Sequence, residues 1–309
     1  MLDIDGGLIA SDFATQSSPM VSFSIIAAGL TLNAPNFSQE HLGVSYLEWL
    51  TNSLVATFIV VATIVYLARQ ATRRLEIIPG PSQNMFEAVM VILYDTLEGI
   101  VGKHMVSKVF SLLATLFIFI LTANWYGLFP GVGSIGWGQV EGAFRYVPHV
   151  DVPILRPTTA DLNMTLGMAV IFMGFWLYWT FSEMGLMGFL KHTFGVKGGM
   201  KGFMALLLAP IFFFVGIIEI VSMGFRPISL SLRLFGNIFA GENLLTTMIT
   251  LGQTLGVPDW ISVLISITVP IPFYFLELLV GLLQAMVFVL LCAVYIQLST
   301  THDEEEAHH

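Results

Sequence analysis

The most informative part of the chain for its fold is IVSMGFRPISLSLRLFGNIFAGENLLTTMIT, residues 220–250. It lies inside a longer run, residues 203–256, that contains only four charged side chains. At about 1.5 Å per residue, a helix of about 50 residues would measure about 75 Å, whereas the hydrocarbon core of a bilayer is about 30 Å thick. We therefore predict a membrane helix that is bent, broken or strongly tilted, with Pro210 and Pro227 as candidate kink positions.

The composition of the whole chain is typical of a membrane protein. Of the 309 residues, 11% are charged, against about 25% in typical soluble domains. Apolar residues make up 56% of the chain, and so few charges could not cover a soluble surface. The single cysteine, Cys292, excludes a disulfide framework and cysteine zinc sites. We predict an all-α polytopic membrane protein without metal or cofactor.

Five segments have the length and low charge of membrane crossings, each of which needs about 20 residues. The last segment carries Pro270 and Pro272, which favour a kink. We treat residues 46–300 as one membrane domain, between an outer-side segment, 1–45, and an acidic tail, 301–309. The last two helices are predicted to be long, tilted and hairpin-like. The predicted helices are about 49–68, 109–130, 162–182, 203–256 and 260–300.

A sixth helix is predicted over residues 85–101, between the first two crossings. Phe86, Val89, Leu93, Leu97 and Ile100 share one stripe of this helix, and its acidic residues lie off the stripe. Such a helix either lies on the cytoplasmic membrane face or packs on other protein, and the pattern favours neither alternative.

The distribution of Lys and Arg predicts the orientation of the chain. With five crossings and an outer N-terminus, eight Lys or Arg residues fall in inner loops. The outer loop then contains only Arg145 and Arg156. This is the bias of the positive-inside rule, and it places the C-terminus in the cytoplasm.

Five charged residues lie within the two long segments, away from their obvious ends: Glu219, Arg226, Arg233, Glu242 and Glu277. A charge at the bilayer centre costs about 2.5–3.5 kcal/mol even on a lenient scale, so such groups face a wet cavity or a partner. Carboxylates can relay protons there, whereas an arginine keeps its proton and would block leakage. The alternative is a set of buried ion pairs that only fix helix packing.

Helical spacing sorts the polar groups of these segments. Arg226 and Arg233 are seven residues apart and share a face, which Asn237 extends, whereas Glu242 points to the opposite side. Glu277 and Gln284 share a face of the last helix. Small residues permit another helix to approach closely: Ser229, Ser231, Gly236, Ala240 and Gly241.

The run RPISLSLRLFGNIFAGE, residues 226–242, resembles the signature of subunit a of the F-type ATP synthase. Four further stretches agree with that family in the same order, and the resemblance covers about residues 45–300. They are IPGPSQN (78–84), ANWYGLFP (123–130), TTADLNMTL (158–166) and LQAMVFVLLCAVY (283–295).

The resemblance implies that Arg233 is the family's essential arginine, which faces the carboxylate of the c-ring. Arg226, Ser229 and Ser231 are secondary candidates, and Gly127 replaces an acid that some members carry three residues before Pro130. The implied proton pathway comprises Glu219, Asn237, Glu242, Glu277 and Gln284, with Asp161, Asn163 and Asn124 lining the outer approach.

The function that the resemblance implies is that of a proton-translocating stator subunit. It would form two offset aqueous half-channels that load and unload c-ring carboxylates, coupling ion flow to rotation and ATP synthesis. The implied partners are the c-ring, peripheral stalk subunit b and membrane lipids. The chain itself has no GxxxxGK[ST] or HExxH motif, so we expect it to be no enzyme by itself and to bind no nucleotide or nucleic acid.

Three choices stay open at this point. The alternative function is an independent ion-coupled secondary transporter or channel, although the sequence shows no inverted repeat. The expected membrane is the bacterial plasma membrane, with the thylakoid or mitochondrial inner membrane as the alternative. The choice between H+ and Na+ depends mainly on the c-ring site, which lies on another chain.

Overall fold

The computed structural model describes residues 51–73, 79–129, 132, 136–137, 152–153, 155–194 and 203–300. The segment 1–45 and the tail 301–309 lie outside these residues. The described helices are α1 (Asn52–Thr72), α2 (Pro81–Gly127), α3 (Leu162–Phe194), α4 (Phe203–Thr254), α5 (Asp259–Thr268) and α6 (Pro270–Thr300). A 3-10 turn, Thr158–Ala160, precedes α3, and β1 (Gly136–Trp137) pairs antiparallel with β2 (Val152–Pro153).

Five stretches of the described residues are long and apolar enough to cross a membrane, when α5 and α6 are counted together. They confirm the predicted all-α polytopic class. The first, α1, begins at Thr51, whose side chain accepts a hydrogen bond from the backbone N–H of Leu54 at 3.3 Å.

Helix α2 is divided into two parts by Gly102, whose φ of 78° and ψ of 162° are not helical. Across this kink the rings of Tyr94 and Phe110 lie 5.1 Å apart, whereas a straight helix would separate the two residues by about 24 Å. The first part therefore folds back towards the second. Leu93 and Leu97 are buried in the protein core, so this part of the predicted stripe packs on protein.

Helix α3 continues to Phe194, beyond the predicted end at residue 182. Gly185, with φ of 69° and ψ of 162°, changes its direction. Close to this kink, the Lys108 ammonium of α2 pairs with the Glu183 carboxylate of α3 at 2.5 Å. The kinked regions of these two helices are therefore joined by an ion pair.

Helix α4 has 52 residues, which corresponds to about 78 Å, far more than a bilayer core of about 30 Å. It continues through Pro210 and Pro227, so neither proline ends it. The following segment does break at Val269, between α5 and α6. Pro270 is the first residue of α6. A proline is well tolerated there because the N–H groups of the first helical turn have no hydrogen-bond partner within the helix.

Helix α4 and the α5–α6 segment form an antiparallel hairpin, as predicted. Contacts between them run in opposite directions along the two chains, from the connecting turn to the far end of α6. In order, Gly252 meets Ser262, Gly241 meets Glu277, Asn237 meets Gln284, and Arg226 meets Tyr295.

The core lies where the second part of α2, the helix α3 and the helix α6 meet the middle of α4. Its largest fully buried side chains are Trp176, Phe172 and Phe288. Helix α4 contributes little to it: only 6% of its most apolar window is buried, against 44% for α2. Most of the α4 surface is therefore free to face lipid or another protein.

Candidate functional site

Arg233 lies on the exposed side of α4. Its neighbours Leu230 and Leu234 are buried in the core, at 1% and 0% exposure. Among the residues that the structure describes, none forms a hydrogen bond or an ion pair with Arg233. Its guanidinium therefore projects from an apolar helix surface, where a charge is expensive unless a partner or water compensates it.

Asn237 lies one helical turn beyond Arg233 and connects α4 to α6. Its amide nitrogen donates a hydrogen bond to Gln284 Oε1 at 2.6 Å. Gln284 is 4% exposed, and its own Nε2 atom has no hydrogen-bond partner among the described residues. The hydrogen bond thus fixes the orientation of the Gln284 amide. It leaves the Nε2 donor of that amide buried, close to the face of α4 that carries Arg233.

Glu277 of α6 lies directly against Gly241 of α4. The side chain of Glu277 is almost completely buried, and a Cβ atom added at position 241 would fall on its carboxylate. Glycine at 241 is therefore the residue that admits the acid. Among the other small residues, Ser231 is buried and hydrogen-bonds Thr165 of α3 at 3.1 Å, whereas Gly236 has open space around it.

Glu242 is accompanied by an arginine that the sequence placed in the outer loop. Arg156 is only 3% exposed, and its Nε lies 4.0 Å from Glu242 Oε2. The positive-inside count includes this arginine as one of the two basic residues of the outer loop. The signal that could have found it is its position, two residues before the TTADLN stretch.

Asp161 and Asn124 are held by hydrogen bonds around the 3-10 turn. Asp161 directly precedes α3, and its carboxylate accepts from the backbone N–H of Asn163 at 3.0 Å and from Ser53 Oγ of α1 at 2.6 Å. Asn124 accepts from Thr159 Oγ1 at 2.8 Å and donates to the Gly281 carbonyl of α6 at 3.1 Å. These contacts tie four helices together at this end of the bundle.

Two outer positions differ from this buried arrangement. The side chain of Asn163 is exposed. At Gly127, where some family members carry an acid, a Cβ atom would lie 2.9 Å from the Cβ of Pro157. A larger residue cannot be accommodated at position 127 while Pro157 keeps this position. The glycine of this chain is therefore required by the close approach of the loop that carries Pro157.

Arg226 lies towards the other end of α4, half-buried between two aromatic rings. Its guanidinium carbon is 5.5 Å from the ring centroid of Trp176 in α3 and 4.9 Å from that of Tyr295 in α6. Cation–π contacts of this kind stabilise a partly desolvated arginine. Glu219, two turns away, attracts the same guanidinium electrostatically. Ser229 is exposed.

The structure therefore distributes the predicted residues into two polar groups along α4. One group, named the outer group after the predicted orientation, contains Asn124, Asp161, Glu242 and Glu277, together with Arg156. The other, named the inner group, contains Glu219 and Arg226. Counted along the helix, Arg233 stands about 14 Å from Glu242 and about 21 Å from Glu219. The described residues contain no cluster of three or more His, Cys, Asp or Glu that could hold a metal ion.

The fold and this row of charges define a membrane subunit of the ion-translocating class. The sequence profile of the family described as ATP synthase A chain matches residues 50–297. ATP synthase subunit a of Desulfotalea psychrophila is 32% identical over 285 residues, covering 92% of this chain and 98% of that protein. The subunit a of Trichlorobacter lovleyi is 33% identical over 259 residues, covering 83% and 89% of the two chains.

The chain belongs to the ATP synthase subunit a family. It is a multi-pass membrane protein that works within a complex, in the stator that translocates ions. This membership argues against the alternative of an independent transporter. A third relative is the "ATP synthase subunit a, sodium ion specific" of Propionigenium modestum, 29% identical over 247 residues, covering 80% of this chain and 73% of that protein.

Proposed function

We propose that this subunit translocates protons through two offset aqueous half-channels and thereby couples ion flow to rotation of the c-ring and to ATP synthesis. The observation that carries the proposal is the position of Arg233. It is an exposed arginine on a largely apolar helix, it pairs with none of the described residues, and it stands between two polar groups.

The outer group would deliver the proton. A proton from the outer side passes along Glu242 and Glu277 to a c-ring carboxylate, which becomes neutral and can then face lipid at low cost. After almost a full turn, this carboxyl reaches the inner group and releases its proton towards Glu219. The ion thus crosses the membrane only when the ring turns.

Arg233 would keep the two half-channels separate. An arginine does not release its proton under physiological conditions, so it cannot act as a relay between the groups. Its charge also attracts each ionised c-ring carboxylate as that carboxylate passes, in a low-dielectric setting where attraction is strong. Asn237 and Gln284, beside it, supply polar groups without a net charge.

The orientation and setting form part of the proposal. Eight Lys or Arg residues fall in the predicted inner loops, which supports an outer N-terminus and a cytoplasmic C-terminus. The proposed membrane is the bacterial plasma membrane. The c-ring would lie on the Arg233 side of α4, with peripheral stalk subunit b and lipids as further neighbours.

The proposal is tested with the whole ATP synthase carrying Arg233→Ala, reconstituted into liposomes. We expect ATP synthesis driven by an imposed proton gradient to fall at least about a hundredfold, the scale of losing a preorganised charge from a reaction path. The amount of c-ring that co-purifies should stay unchanged. Arg73→Ala, at the exposed end of α1, is the matched control and should behave as the unaltered enzyme.

Two results would refute the proposal. Coupled synthesis that survives Arg233→Ala would remove the arginine from the mechanism. Synthesis that follows an imposed sodium gradient, and ignores a proton gradient without sodium, would keep the mechanism but replace the ion.

A further inference from the structure

Arg156 is a buried arginine that the mechanism above does not use. It lies between β2 and the 3-10 turn, and only 3% of it is exposed. Because an arginine stays charged, its burial requires compensation by an anion or by several hydrogen-bond acceptors. The carboxylate of Glu242, with Oε2 at 4.0 Å from Arg156 Nε, supplies a negative charge at this place.

The backbone next to Arg156 is held in place by contacts with two helices, α1 and α2. Pro157 packs tightly on Gly127 of α2, and all three residues of the 3-10 turn are buried. Beyond the turn, Asp161 is held by the hydroxyl of Ser53 in α1. A side chain that starts from such a constrained segment is preorganised, as a functional group needs to be.

Glu242 is the group that this arginine can orient. Its Oε2 atom is buried and has no hydrogen-bond partner among the described residues, so the nearby guanidinium is the contact that directs it. The preceding residue, Gly241, touches the carboxylate of Glu277. The Glu242 carboxylate on α4 therefore lies beside a fixed positive charge from the loop, and the Glu277 carboxylate of α6 lies against the neighbouring residue of α4.

We propose that Arg156 is a positioning residue for Glu242, holding its carboxylate in the orientation in which it accepts and passes on a proton. The proposal rests on the proposed function. When Glu242 takes a proton from hydronium in the outer-side water, an O–H bond of the hydronium breaks, an O–H bond on the carboxyl forms, and the attraction to Arg156 falls. When the proton leaves for the next acceptor, the carboxyl O–H bond breaks, a bond to the acceptor forms, and the ion pair re-forms. The arginine thus favours the ionised carboxylate and with it the onward transfer of the proton.

The test is a double-mutant cycle in the complete membrane sector, reconstituted in liposomes after removal of the catalytic head, with passive proton conduction as the readout. The variants are Arg156→Gln, Glu242→Asp and the combination of both. We expect Arg156→Gln to lower conduction by about tenfold or more, the scale of a small misplacement of a reacting group. Arg156→Lys should recover part of this loss, because it keeps the charge but not the planar fork.

The cycle separates positioning from a purely structural role. In Glu242→Asp the shortened carboxylate withdraws from the guanidinium, so removing Arg156 from this variant should cost much less than in the parent, a non-additive result. The proposal would be overturned if the two single losses of conduction simply multiply in the double variant. It would also be overturned if the loss of conduction only follows a reduced recovery of the c-ring. If Arg156→Gln does not assemble, Arg156→Lys replaces it in the same cycle.

A matched control and a parallel measurement complete the design. Arg73→Gln removes an exposed arginine and should leave conduction unchanged. Arg233→Ala is assayed beside the cycle for coupled synthesis in the complete enzyme. If Arg233→Ala abolishes coupling and the cycle is additive, only the role of Arg156 fails. If Arg233→Ala retains coupling, the proposed function itself fails.

Discussion

Replacing Gly241 by alanine tests whether the position of the Glu277 carboxylate matters for ion flow. An added Cβ would lie 2.6 Å from Glu277 Oε2 and closer still to the other carboxylate atoms. Since ordinary contacts of carbon begin at about 3.5 Å, the carboxylate must withdraw by well over about 1 Å. The group is the end of a flexible side chain, so it can move without forcing α4 and α6 apart.

The effects of Gly241→Ala on stability and on function should therefore differ. Alanine gains about 1 kcal/mol over glycine in a helix interior, which offsets the cost of moving one side chain, and we expect the free energy of unfolding to change by less than about 1 kcal/mol. A displacement of about 1 Å or more in a proton-transfer group, the role proposed for Glu277, can cost about a hundredfold in rate. We expect passive proton conduction to fall by about tenfold to a hundredfold.

The assay compares proton conduction and thermal unfolding of the same reconstituted complexes. Gly174→Ala in α3 is the matched control, because a Cβ there would meet nothing within 4 Å. It should conduct as the parent does. If Gly241→Ala conducts as well as Gly174→Ala, the Glu277 carboxylate does not need its observed position, and the reasoning is refuted. Equal losses of conduction and of stability would point to a packing defect instead.

Two further predictions concern contacts outside the arginine site. Ser53→Ala removes a hydroxyl that donates to the Asp161 carboxylate at 2.6 Å, and should lower the free energy of unfolding by about 1.5–3 kcal/mol, as for bonds to charged groups. Thermal unfolding checks this, with the exposed Ser82→Ala as control, and an equal effect of both changes would contradict it. Lys108→Ala removes the partly exposed pair with Glu183 and should cost at most about 1 kcal/mol. A larger fall in unfolding temperature than this implies would show that the pair holds the two kinked helices together.

Much of the fold follows from local sequence because a membrane imposes a simple rule on composition. Runs such as residues 203–256 are too apolar for any other setting, and their length alone predicts spans that cannot stand upright. The break before Pro270 also follows from local chemistry. The kinks at Gly102 and Gly185 do not, because a glycine within an apolar run is tolerated in a straight helix and only the neighbouring packing selects a positive φ.

The candidate site also has features that local sequence predicts and features that it does not. Helical spacing was sufficient to place Arg233, Asn237 and Glu242 on their sides of α4, since one helix fixes the relative directions of its own side chains. Spacing could not show which groups meet across helices. The contact of Gly241 with Glu277, and that of Asn237 with Gln284, depend on the register of the hairpin.

The class of protein and the approximate membrane spans follow from the sequence alone, and so does the choice of Arg233, on which the proposed function rests. These are properties of single segments. Because burying a charge in a membrane is costly, the few charged residues within apolar segments of a chain that is 11% charged can be recognised from the sequence. The burial of Arg156 beside Glu242, by contrast, is a result of the tertiary structure alone. Its burial results from the packing of the 3-10 turn against α1, α2, α3 and α4, and no local pattern records contacts between segments so distant along the chain.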